Sequence, residues 1–425
     1  MTSPLEAVLL GAGQRGTDAC GAFARRHPEQ LRFVAVAEPD EERRRRFARQ
    51  HGIDPAMCFA AYEDLLARPQ LAPLCFNTTM DAHHLPSTLM ALEAGYDIFL
   101  EKPMAVTARD CLRIAQVARA RGRIVQICHP LRYTPFYTKA RDLLTSGAIG
   151  RVISMTMVEN VGYWHFAHSY VRGNWGVAAT TGPLILTKCC HDMDLAVWLA
   201  GDDPVRVASF GALNEFRPDR APEGAPNRCT DGCPVEKTCP YFAPAMYMGD
   251  NTDWPVSVIS SDPSAEARWQ ALLTGPYGRC VYRCDNTAVD HQTVIAEFAN
   301  GVSLGFSVHA NAFHPCRTLR VTGSEGELNG HLEKAEISVV RFTPGQGLEA
   351  NPRVFSTAGQ ADAHHGGDTG AISNFLRCVR EDDKQGAAES LDIAVAGHLL
   401  AFAAEQARVT QTLVDMKSYR LALAG

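Results

Sequence analysis

The stretch Leu5-Glu6-Ala7-Val8-Leu9-Leu10-Gly11-Ala12-Gly13-Gln14-Arg15-Gly16 decides how the rest of this chain is read. Glu6–Gly11 has the composition of a short buried strand, and Thr17–Arg26 continues at helical spacing. Between them, Gly-x-Gly-x-x-Gly runs from Gly11 to Gly16. A glycine-rich turn between a strand and a helix is the context in which this pattern binds a dinucleotide. Gly11 permits the tight turn, Gly13 admits a pyrophosphate close to the backbone, and Gly16 lets the helix pack on the strand. Gln14 and Arg15 complete the turn, where the helix N-terminus attracts an anion.

Working outward, Phe33–Ala37 reads as a second strand ending at Glu38. An acid there can accept both ribose hydroxyls, and its charge repels a 2′-phosphate. NAD is therefore expected over NADP. The run Arg43–Arg46, read as the solvated face of helix Asp40–His51, is the feature that leaves NADP in play. Strand Leu74–Asn77, helix Pro86–Ala94, strand Asp97–Leu100, helix Ala108–Arg119 and strand Ile124–Cys128 follow. This alternation implies a doubly wound parallel sheet over residues 1–128, a Rossmann dinucleotide-binding domain.

After Cys128 the rhythm changes. Val152–Val161, Val205–Ala212, Thr293–Phe298, Ser303–Ala310, Thr318–Thr322 and Ile337–Phe342 read as longer strands, several alternating with period two. Few helices separate them. A second α/β domain over 129–425 is expected, with an open, mostly antiparallel sheet half covered by helices such as Gly370–Arg380 and Leu391–Val409. Residues 217–263, rich in Pro, Gly and Cys, read as an insertion or lid outside the core.

Composition narrows the partners. The 425 residues carry a formal net charge of −6 with no basic face in the sequence, which argues against nucleic acid. Met1-Thr2-Ser3-Pro4-Leu5-Glu6 does not open a signal-peptide pattern, and no run reads as long enough to span a membrane. A cytoplasmic protein is expected. Its 14 cysteines, without a secretory signal, suggest free thiols rather than a disulfide framework. Cys229, Cys233 and Cys239 stand apart: three thiols so close together suit a soft metal such as zinc, with Cys280 or Cys284 as fourth ligand.

Ligands of an open α/β sheet gather at the carboxyl ends of its strands. Here those tips carry Asn77-Thr78-Thr79, Glu101-Lys102-Pro103 and His129. A lysine at such a tip can orient and polarise a substrate oxygen.

Gly11–Gly16, Glu38, His84 with Ala91-Leu92-Glu93-Ala94-Gly95, and then Glu101-Lys102-Pro103 resemble the glucose–fructose oxidoreductase/inositol dehydrogenase (Gfo/Idh/MocA) family through nearly the whole first domain. The resemblance implies NAD(P)-linked chemistry on sugars, cyclitols or related polyols. It also implies a homodimer or homotetramer built through the second sheet. Lys102 would contact the reacting oxygen, and Glu101 would hold the nicotinamide end. Asn77, Thr78 and His84 complete the expected cofactor site.

The segment Thr187-Lys188-Cys189-Cys190-His191-Asp192-Met193-Asp194 matches the family's Asp-x-x-x-His element, with His191 at the histidine and Thr187 in place of the aspartate. Read as one helix, it puts Thr187 with His191 and Lys188 with Asp192 on shared faces, four residues apart. His191 is then the expected acid/base, with Lys188 replacing the missing partner. Arg132 and Tyr133 match family residues that face the site. Tyr163, Trp164 and His165 are candidates for stacking on or hydrogen-bonding a sugar, together with Lys188 and Asp192.

Hydride transfer from a secondary alcohol is the leading expectation. A glycoside-cleaving enzyme working through transient C3 oxidation and elimination is the alternative on the same residues, and a non-catalytic dinucleotide sensor is a third.

Overall fold

Six parallel strands form the first sheet: β1 (Leu5–Leu10), β2 (Leu31–Ala37), β3 (Cys58–Phe59), β4 (Leu74–Asn77), β5 (Asp97–Leu100) and β6 (Val125–Ile127). Their order is β3-β2-β1-β4-β5-β6, the arrangement of dinucleotide-binding sheets. This computed structural model describes residues 3–345, 351–359 and 364–424. Met1, Thr2, 346–350, 360–363 and Gly425 of the expected first and second domains lie outside the described residues.

Strands β1 and β4 are apolar on both sides because helices cover both faces of the sheet, and all four residues of β4 are buried. Helix boundaries follow local chemistry. Thr107 caps helix Ala108–Arg121 by accepting from the Asp110 N–H, and Gly122 ends it in a left-handed conformation.

One covering element comes from the far end of the chain. Helix Gly367–Arg380 sets Ala371, Ile372, Phe375 and Leu376 among Leu9, Phe33, Phe76 and Phe99. The Phe375 ring lies 5.7 Å from both Phe76 and Phe99. Each such ring buried is worth about 1.5–3 kcal/mol, so this helix is part of the first sheet's core.

The second sheet has nine strands: β7 (Val152–Gly162), β8 (Pro204–Ala212), β9 (His291–Phe298), β10 (Ser303–Ala312), β11 (Cys316–Gly323), β12 (Gly326–His331), β13 (Glu336–Arg341), β14 (Arg353–Ser356) and β15 (Val414–Asp415). Their order is β14-β13-β12-β11-β7-β10-β9-β8-β15. Every pairing is antiparallel except β7 with β10. Strands β3, β12, β14 and β15 escaped the sequence reading because they are too short, or too polar and glycine-containing, for apolar periodicity. One face packs inward through Val294, Ala296, Phe306 and Val308, while Phe210 and Ile295 point to solvent.

Two expectations are corrected. Helix Lys384–Thr410 is long and apolar enough to cross a membrane, contrary to the reading that no run reaches that length. Some 67% of its most apolar window is buried inside the protein, where it packs on helix Cys190–Ala200 and β8. The 217–263 insertion is not a coreless lid. Cys229, Ala243, Tyr247 and Val256 bury a cluster of their own with Leu272 and Tyr277.

Candidate active site

The glycine turn is shaped as its sequence demands. Gly11 has φ +87°, and a Cβ there would lie 2.6 Å from the Thr78 carbonyl oxygen. At Gly16 a Cβ would lie 2.2 Å from the Gly11 oxygen. Gly13 faces open space, with nothing within 4 Å of an added Cβ, so the backbone there is accessible to a ligand. Gln14 is exposed at the helix start. Buried Glu38 accepts the Ala12 N–H at 2.7 Å and the Asp40 N–H at 3.0 Å, which holds its carboxylate at the tip of β2 against this turn. Among the basic run, Arg44 donates to the Glu38 carbonyl and Arg45 pairs with Glu41. These residues fit the pyrophosphate and ribose of a dinucleotide.

Other expected cofactor residues act through the scaffold. Asn77 donates to Ser87 and Thr88 and accepts from Thr79, so its buried amide is engaged in fixing the β4 tip. Thr78 donates to the Gly11 carbonyl at 2.6 Å. His84 bridges the Pro103 carbonyl (2.7 Å) and the Thr79 carbonyl (3.0 Å), which staples the β4 loop to the β5 tip. Arg15 spans Glu101 (2.7 Å) and Asp368 (2.6 Å), locking the glycine turn to helix Gly367–Arg380. Burial opposes ionisation of Asp368, but Arg15 and His364 outweigh it and hold its carboxyl well below the usual range.

Lys102, half-buried at the β5 tip before a cis proline, points across to the second domain. Its Nζ donates to the Thr187 carbonyl at 3.1 Å and lies 5.5 Å from the Trp175 ring centroid. Trp175 is itself tethered by Nε1 to Asp81 at 2.9 Å. Neither Trp175 nor Asp81 carried a motif in the sequence. Only tertiary contact places them.

His191 begins helix Cys190–Ala200, and its Nδ1 lies 3.4 Å from Nδ1 of His129 at the β6 tip. His129 Nε2 in turn faces Asp194 Oδ1 at 3.5 Å. The Asp194 charge favours a proton on His129 Nε2, though no hydrogen bond joins the two, and Nδ1 is then the acceptor. His191 then donates from Nδ1 and keeps a lone pair on Nε2. Burial, reinforced by Lys102, His129, His364 and Arg317, pushes the His191 pKa well below its usual 6.5, so the ring is neutral at cellular pH. His129 is depressed likewise by burial, His398, Arg132 and Lys102.

The expected helical pairing around His191 is corrected. The chain turns at Lys188 and Cys189 between helices Leu184–Thr187 and Cys190–Ala200, so Thr187 and His191 do not share a helical face. Lys188 pairs with Glu159 of β7 at 3.1 Å rather than with Asp192. Arg317 of β11 joins Glu159 (2.8 Å) to Asp192 (2.9 Å). Asp192 is thereby enclosed in an ion network. Burial raises its carboxyl, with Arg317 opposing.

Arg132 is likewise committed, donating from Nε to Asp194 at 2.6 Å and from Nη1 to Ser390 at 3.1 Å. Tyr133 faces Asn374 at 3.1 Å, on the first-sheet side. Arg132 thus stands in a buried bidentate pair with Asp194, and the Tyr133 hydroxyl accepts from the Asn374 amide. Tyr163, Trp164 and His165 form a short helix after β7. Tyr163 packs on Tyr241 and Phe313, and Trp164 and His165 pack on Trp254. Burial and then Lys188, His168, Lys102 and Arg317 depress the His165 pKa well below 6.5.

The metal expectation also changes. Among the described residues, the one group of three ligating side chains mutually within 4.8 Å is Cys316, His331 and Glu333. Cys229, Cys233 and Cys239 are not so gathered. Tetrahedral zinc, with Zn–S ~2.3 Å, would set its sulfurs about 3.8 Å apart. A single zinc on those three thiols is therefore not supported.

An amine and a neutral imidazole at the carboxyl edge of a dinucleotide-type sheet are what hydride exchange with an alcohol requires. The architecture is that of a nicotinamide-linked oxidoreductase. Known proteins agree. Residues 5–129 match the oxidoreductase family's NAD-binding Rossmann fold, and 141–389 match its C-terminal alpha/beta domain. The chain belongs to the Gfo/Idh/MocA oxidoreductase family and is an NAD(P)-dependent enzyme. It is 26% identical to YteT of Bacillus subtilis (strain 168), which is named as an oxidoreductase, over 74% of this chain and 77% of that one. It is 33% identical to inositol 2-dehydrogenase of Gluconacetobacter diazotrophicus, over 45% of this chain and 55% of that one. The match thus spans about half the length of the inositol dehydrogenase. A solved levoglucosan dehydrogenase with NADH and L-sorbose shares the fold at TM-score 0.69 and 17% identity, over 98% of this chain and 99% of that one.

Proposed function

We propose that this enzyme oxidises a secondary alcohol of a sugar, cyclitol or sugar derivative, with NAD as hydride acceptor. The observation that carries the reading is Lys102, whose ammonium lies over the Trp175 ring at the tip of β5 in the electrostatic neighbourhood of neutral His191. An apolar ring beside polar groups suits the face of a sugar, as do the named inositol and levoglucosan dehydrogenases.

When bound, NAD supplies the hydride acceptor. The chain supplies position and charge. Gly11–Gly16 and Glu38 hold the dinucleotide, and the carboxylate of Glu38 favours NAD over its 2′-phosphorylated form. Nε2 of His191 takes the hydroxyl proton, and His129 and Asp194 fix the tautomer from behind. Lys102 stabilises the developing alkoxide. Lys188, held half-buried by Glu159, orients a neighbouring hydroxyl. The exposed Phe210 and Ile295 on the open sheet face support a homodimer or homotetramer through that face.

The test is a screen of sugars, glycosides and inositols with NAD and NADP, following nicotinamide absorbance. Stoichiometric NADH from one polyol class is the expected result. Glycoside cleavage without net NADH would replace simple oxidation by the elimination route, and no turnover of any polyol would overturn the proposal.

A further inference from the structure

The insertion and the loop before β9 meet at a short antiparallel bridge, Arg228 with Arg279. Cys229 donates its N–H to Gly278, and Cys280 donates to Asn227, both at 2.9 Å. This brings Cys280 to the same hollow as Cys229, Cys233 and Cys239. Cys284 does not line it, and its thiol turns to the Cys280 carbonyl. Among the described residues no three of these sulfurs lie within 4.8 Å of one another, as the sulfurs around a single tetrahedral zinc would.

Arg172 is the second observation. This guanidinium is 1% exposed. It donates to the Arg279 and Tyr241 carbonyls, both at 2.7 Å, and lies 3.5 Å from Cys229 Sγ. Among the described residues no carboxylate lies within ion-pair distance of it. A buried cation without a counter-ion is strongly unfavourable. The Cys229 thiol, 3.5 Å away, can supply that charge as a metal-bound thiolate.

We propose that Cys229, Cys233, Cys239 and Cys280 are the four thiolate ligands of an iron–sulfur cluster that ties the insertion to the loop before β9. Four cysteines are the ligand set of such clusters. A cluster interposes its own iron and sulfide between the protein sulfurs, so it accepts thiols spread around a hollow where one ion cannot. Its net negative charge, thiolates included, answers Arg172. The pairing of Cys233 with Pro234 and Cys239 with Pro240 turns the chain away after each ligand.

The experiment uses the full chain purified without oxygen and assayed for iron, zinc and acid-labile sulfide. About four iron and four sulfide per chain are expected, with broad visible absorption. Cys280→Ser and Cys233→Ser should each lose most of the iron, while Cys284→Ser keeps it. Because a ligand variant can fail to fold, thiol alkylation of the unaltered protein is mapped before and after iron chelation. Chelation should expose the four cysteines together. Stoichiometric zinc without sulfide, absence of metal after anaerobic reconstitution, or full iron in a folded Cys280→Ser protein would each overturn the assignment.

Discussion

Lys102 reaches the Thr187 carbonyl and Lys188 is the next residue along, yet the two lysines are held in opposite ways. Lys102 stands on a buried parallel strand, with Pro103 behind it and His84 stapling the tip to the next loop. Its position is settled by neighbours close in the chain. Lys188 sits at a break between two helices and is held by Glu159, which shares Arg317 with Asp192. Those partners come from β7, the following helix and β11. The first lysine's place is written locally, whereas the second's depends on the second sheet forming in register. A mutation near Lys102 should therefore damage chemistry, and one in the Lys188 network should damage the fold.

The largest effect is expected at Arg317. Arg317→Met leaves Glu159 and Asp192 as buried neighbouring carboxylates with one cation between them, which costs about 3–5 kcal/mol of stability. Denaturant unfolding measures it, and a loss below about 1 kcal/mol would erase the contrast. Next is Lys102→Ala, which removes an oxyanion-type donor and should cut kcat by roughly a hundredfold or more, with unfolding unchanged. His191→Ala should cut kcat comparably and abolish the acidic limb of the pH–rate profile, which in the native enzyme lies below 6.5. Near-normal turnover by Lys102→Ala would make that amine a bystander.

Acid should separate the regions further. His129, His165, His191 and His398 all have depressed pKa values in the fold, burial being the leading cause. The unfolded chain binds protons at 6.5 where the folded chain does not, so stability is full above 6.5 and falls as pH drops below it. Urea midpoints that stay flat down to roughly pH 5 would contradict this. The smallest effect is expected at Glu38, where Glu38→Ala should shift the NAD-over-NADP ratio by about tenfold, or ~1.4 kcal/mol. Equal use of both cofactors by the unaltered enzyme would remove the premise.

The alternation of strand and helix, the glycine turn and the Glu-Lys-Pro tip all lie within short windows, where period and turn chemistry determine geometry. They made the Rossmann sheet, its strand ends and the family legible, and the longer strands of the second sheet followed from their period of two. The partners of Arg132 and Asp192 are not legible in the same way. A charged side chain announces that it needs a partner without saying whether that partner is a substrate or another residue hundreds of positions away.

The sequence by itself determined the fold class and the dinucleotide turn, because backbone propensity and close neighbours set them. Only the tertiary structure decided that helix Gly367–Arg380 seals the first sheet, that Trp175 lies beneath Lys102, that Glu159 and Arg317 hold Lys188, and that Cys280 joins three distant thiols around a buried arginine. These are contacts between segments far apart in the chain. They are chosen by how apolar area and buried charge are satisfied together once the sheets close, and no local pattern encodes that.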